Sequence, residues 1–72
     1  QSTDSFRLLE TYAHENSALV SSDALRFIGG QGTTEAEQIE ILDRVINLAK
    51  SKYPKEGDWV VINKERVLAV LA

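Results

Sequence analysis

Apolar residues recur along the first segment at three- and four-residue spacing: Phe6, Leu9 and Ala13, with Leu8 and Tyr12 widening the stripe. That spacing places them on one face of a helix. It predicts a helix from Asp4 or Ser5 to His14, opened by the side chain of Asp4 or Ser5. Asn16 and Ser17 read as a turn. Leu19 and Val20 then lead into a short second helix, capped by Ser21 or Ser22, with Asp23 in its first turn where the helix dipole favours negative charge. Its apolar residues are Ala24, Leu25, Phe27 and Ile28, and Val20 is placed to staple the entry. Gly29 and Gly30 are expected to end it in the left-handed conformation.

The third stripe is the clearest. Thr34 is followed three residues later by Glu37, the spacing of a capping box. Ile39, Leu42, Val45 or Ile46, and Ala49 then share one face, broadened by Ile41 and Leu48. A stripe this wide suits a central helix with several neighbours. Glu40 and Arg44 stand four apart in the favourable order. Pro54 requires the helix to stop at or before Tyr53. Lys55 to Asp58 is a turn, and Trp59-Val60-Val61-Ile62 reads as an extended segment. A lone strand leaves backbone groups unpaired, so it needs a partner around Asn16–Val20 or in another chain. Asn63 caps a last helix, Lys64 to Ala72, with Val67, Leu68 and Leu71 inward. A hairpin turning at Asn63-Lys64 is the alternative. The fold class is mostly α, a small helical bundle with one short extended segment, and residues 1–72 form a single domain.

Size changes what such a bundle can do. Ordering costs roughly 1.5 kcal/mol per residue, so a chain of this length has little stability left for a deep ligand cavity. No cofactor is expected. The 72 residues contain no cysteine, which removes thiolate metal sites and a cysteine nucleophile, and points to a reducing, intracellular compartment. That means the nucleus in a eukaryote and the cytoplasm in an archaeon or bacterium. No apolar run approaches the roughly 20 residues of a membrane helix. The formal net charge is −3, which disfavours a dedicated nucleic-acid binder. Charge is unevenly spread: Glu35 to Asp43 is acidic, whereas Lys50, Lys52 and Lys55 cluster.

Candidate chemistry is thin. Gly29-Gly30-Gln31-Gly32-Thr33 lacks the lysine and hydroxyl of a phosphate loop, and Glu35 and Glu37 would repel an anion. It reads as a flexible connector. His14 is the only histidine. Glu10 and Glu15 do not complete a metal site around it, and no nucleophile–base pair is apparent. The carboxylates Glu35, Glu37, Glu40 and Asp43 read as a solvated face without calcium-loop spacing. Catalytic, cofactor-binding and metal-ligating residues are therefore not assigned, and the chain is not expected to be an enzyme. Trp59 is expected in the core, where it would hold the last helix, with an exposed interface anchor as the alternative.

Phe6-Arg7-Leu8-Leu9, Ala18 to Leu25 with its serine–acid cap, Ile41 to Ile46, Val60-Val61-Ile62 and Lys64 to Leu68 together resemble the small helical domain at the N-terminus of the B-subunits of replicative DNA polymerases. These occur in archaeal family-D and eukaryotic enzymes. The resemblance spans nearly the whole chain and implies a fold like the helical lid of AAA+ ATPases. It also implies a non-catalytic adaptor that contacts other replication proteins.

The expected function is protein interaction, with another protein such as a replication-complex subunit as partner. The expected surface is Lys50, Lys52, Tyr53, Lys55 and Trp59, at the end of the third helix and the turn after it. An acidic partner would be steered there. Weak nucleic-acid binding through Lys50–Lys55, on a helical or winged-helix surface, is the competing reading. Neither a membrane nor a small-molecule substrate is expected.

Overall fold

The computed structural model describes Ser2–Ala72, with side chains described from Ser5 onward. Four helices and a two-stranded parallel sheet follow in the order α1 (Ser2–Glu15), β1 (Ala18–Val20), α2 (Ser22–Gly29), α3 (Glu35–Lys52), β2 (Val60–Ile62) and α4 (Lys64–Leu71). A single 3-10 turn, Pro54–Glu56, joins α3 to β2. Helix α1 starts before the expected cap, so Asp4 and Ser5 lie inside it. Leu19 and Val20 belong to β1 and do not enter α2. β1 is a second extended segment and supplies the partner that Trp59–Ile62 required, with Ala18 opposite Val60, Leu19 opposite Val61 and Val20 opposite Ile62. Asn63 accepts the Arg66 N–H and opens α4, which rules out the return strand of a hairpin.

The core forms where the helical stripes and the inner side of the sheet meet. Leu9 and Ala13 of α1, Leu25 and Ile28 of α2, Leu42, Val45, Ile46 and Ala49 of α3, Val60 and Ile62 of β2, and Val67 of α4 are buried. In α4, Val70 and Leu71 pack on the core, whereas Leu68 faces water. The expected inward position of Leu68 fails because eight residues make barely two turns and only a narrow stripe can face α3.

The cap geometry explains where the helices begin. Ser21 Oγ and the Asp23 carboxylate both accept the Ala24 N–H. Thr34 Oγ1 accepts the Glu37 N–H at 3.1 Å, while Glu37 Oε1 accepts the Thr34 N–H at 3.2 Å, a complete capping box. The glycines end α2 differently from expectation. Gly30 closes it with φ −87° and ψ −7°, in the right-handed region, and its N–H returns to the Arg26 and Phe27 carbonyls. The following loop is pinned to α3, because the Gln38 side-chain amide donates to the carbonyls of Gly29 and Gly32 at 3.0 and 3.1 Å. Gln38, at a polar position in the sequence pattern, is thereby drawn into the interior. Among the described residues, Arg66–Glu56 forms an ion pair and Glu40–Arg44 does not.

Candidate interaction surface

Three elements converge on one end of the molecule: the close of α3, the turn beyond it, and β2. Pro54 ends α3 at Lys52 by denying it an amide hydrogen, and Tyr53 caps it. Gly57 takes φ 81°, a left-handed backbone that glycine enters at no steric cost, and this returns the chain to β2. Lys52, Tyr53, Pro54, Lys55 and Glu56 line an open groove of about 330 Å³.

The expected surface residues separate into three settings. Lys52, Tyr53 and Lys55 share the groove. Lys50 turns away: its ammonium donates to the Asn16 carbonyl at 2.6 Å, closing the turn after α1. Trp59 is not a core residue. It remains 42% exposed and packs edge-on against His14, with ring centroids 5.1 Å apart and planes at 63°. It lies outside the core because it precedes β2, whose inward positions belong to Val60 and Ile62. The same contact gives the single histidine a packing role at the end of α1.

Sequence reasoning missed two features of this end. The first is the outer face of the sheet. Leu19 and Val61, opposite each other in register, are 50% and 53% exposed. His14, Leu19, Val20, Val61 and Asn63 border a cleft there of about 330 Å³. Strand alternation was the available signal, since Val61 lies between the inward Val60 and Ile62. The second is the Arg66 cluster. The Arg66 guanidinium lies 3.8 Å from the Tyr53 ring centroid, reaches the Glu56 carboxylate at 2.7 Å and donates to the Val61 carbonyl at 2.8 Å. The Glu56 carboxyl is held below its ordinary range by the Arg66 hydrogen bond, with help from the Val61 N–H and the Arg66 charge, and against partial desolvation. Arg66 is ten residues from Glu56, and no local spacing rule links them.

Among the described residues, no group of three or more His, Cys, Asp or Glu side chains could hold a metal. Two of the α3 carboxylates, Glu37 and Asp43, have structural partners. Glu37 caps, and Asp43 accepts from the Tyr12 hydroxyl at 2.8 Å and from Asn47. No helix among the described residues is long and apolar enough to cross a membrane. Comparison with protein-family models, curated proteins and solved structures finds no match to this chain.

Proposed function

We propose that this domain is a non-catalytic protein-interaction module whose docking surface is the outer face of the β1–β2 sheet together with the adjoining Tyr53 turn. The observation that carries the reading is the exposure of Leu19, Val61 and Trp59 at one end of the domain. A domain of this size gains stability from each large apolar side chain it buries. Three left in water at one end, beside a rigid two-strand ladder, fit an interface in which an aromatic anchor and aliphatic neighbours are covered by a partner. Lys52 and Lys55 border the same end and would steer an acidic partner towards it.

The resemblance to the polymerase B-subunit domain, carried by Ile41–Ile46, Val60–Ile62 and Lys64–Leu68, gives the partner its class: another subunit of a replication complex. On that reading the domain acts inside the cell as an adaptor, with an AAA+ lid-like arrangement of its helices. The test is a nitrogen-15 titration of the labelled domain with such subunits. Shifts should gather at Leu19, Tyr53, Trp59 and Val61. No shift at high micromolar partner removes the replication reading.

The nucleic-acid alternative is less well supported. It drew on Lys50, whose ammonium is engaged with Asn16, and on a wing-like hairpin, where the chain forms parallel strands and a helix.

A further inference from the structure

The outer edge of β2 is closed by the protein's own side chains. Val60 donates its N–H to the Ser17 carbonyl at 3.1 Å, and Ser21 donates to the Ile62 carbonyl at 2.9 Å. Backbone groups alternate in direction along a strand, so Val60 and Ile62 face β1 while the N–H and carbonyl of Val61 face away. Both outward groups are occupied. The Val61 N–H donates to Glu56 Oε1 at 3.3 Å, and the Val61 carbonyl accepts from Arg66 at 2.8 Å. The same Glu56 oxygen accepts from the same Arg66 nitrogen at 2.7 Å. One carboxylate and one guanidinium thus take the place of a neighbouring strand.

That arrangement defines a seat for a carboxylate beside an extended backbone. Arg66 stacks on the Tyr53 ring, whereas Glu56 stands at the end of a three-residue 3-10 turn on the exposed surface. The groove formed by Tyr53, Pro54, Lys52 and Lys55 continues from Glu56, so positive charge extends beyond the seat. Resting on the interaction reading above, we infer that Glu56 is an internal competitor for an acidic, extended segment of the partner. The segment lies along β2 and accepts the Val61 N–H that Glu56 vacates, while Arg66 stays on the Val61 carbonyl. Its own aspartate or glutamate replaces Glu56 on Arg66, and further acidic residues run towards Lys52 and Lys55. Strand addition supplies backbone hydrogen bonds, and alternate side chains supply specificity. Masking an exposed edge in the free protein also prevents indiscriminate strand pairing.

The competitor makes an unusual prediction: deleting an acidic residue strengthens binding to an acidic ligand by more than the general gain in positive charge would give. The probe is a fluorescein-labelled heptapeptide of alternating glutamate and valine, with a lysine–valine peptide as control, followed by fluorescence anisotropy. The ion pair is still solvent-accessible, with side chains 26% and 31% exposed, and contributes little, so Glu56→Ala should bind about two- to fivefold tighter than the parent. Glu56→Gln should move the same way. Glu35→Gln, at the far end of α3, makes the same charge change and should leave affinity unchanged. Arg66→Ala should abolish binding, and the Val61 amide should shift in the parent complex only with the acidic peptide. Equal or weaker binding by both Glu56 variants, with helical circular dichroism retained, overturns the inference. So does an equal gain in Glu35→Gln, or absence of peptide binding altogether. The interaction reading stands or falls separately, on the subunit titration and on Leu19 and Val61.

Discussion

Lys50 shows how one residue can be assigned the right place and a different task. Its position near the end of α3 follows from the sequence, as does the positive charge around it. Its partner, the Asn16 carbonyl, is 34 residues away. That carbonyl belongs to the turn leading to Ser17, whose φ of 61° is uncommon for a residue with a side chain. A charged donor is thus placed where α1 has ended and β1 has not begun. Lys50→Met should cost about 1–2 kcal/mol, because the half-buried carbonyl loses a charge-assisted hydrogen bond. Urea unfolding measures this, and the same variant should leave partner affinity unchanged. Trp59 illustrates the opposite error. Its size argued for burial, but its one-residue offset from β2 places it against His14.

At the scale of elements, sequence signals worked where they were local. The Thr34–Glu37 capping box, the stop at Pro54 and the Asn63 cap involve residues within a few positions of one another. The apolar stripe of α3 likewise identifies four of its buried residues. What could not be read was contact between elements: the parallel register of β1 with β2, the Gln38 clamp and the Arg66 cluster. The glycine loop lies between these cases. Gly29 and Gly30 are expected to supply left-handed backbone and Gly32 to lie in a flexible connector, yet at Gly32 the requirement is for space. A β-carbon there would lie 2.9 Å from the Gln38 backbone nitrogen and from Glu37 Cβ. Gly32→Ala should therefore destabilise by about 1–3 kcal/mol through crowding of the cap. Gly30→Ala, where the nearest atom is the Phe27 carbonyl oxygen at 3.5 Å and φ is ordinary, should be neutral or stabilising by up to about 1 kcal/mol. Thermal unfolding of the two variants side by side separates space from backbone freedom.

For the whole molecule, pH reports how the capped elements are held together. Glu37 is held below its ordinary range by hydrogen bonds from the Thr33 side chain and then the Thr33 and Thr34 backbones. Asp23 is lowered by the Ser21 hydroxyl in the cap of α2, and Glu56 is lowered mainly by Arg66. A carboxyl whose folded value lies below its unfolded value stabilises the fold above the unfolded value. It loses that contribution as pH falls through the folded one. Stability should accordingly decline from the ordinary carboxylate range downward, and Glu37→Gln should make the decline shallower. Urea midpoints across an acid series measure both.

Charge also bears on the exposed end of the domain. Lys52→Glu with Lys55→Glu should leave the fold intact, since exposed charges contribute little, while slowing association with an acidic partner. The most direct test of the interaction account is the affinity of the Leu19→Ser, Val61→Ser double variant for a replication-complex subunit that binds the parent domain. Both side chains are half-exposed and outside the core, so helical circular dichroism should be retained. The account predicts at least a tenfold loss of affinity, as expected when covered apolar anchors are removed. Unchanged affinity in the folded double variant would contradict it.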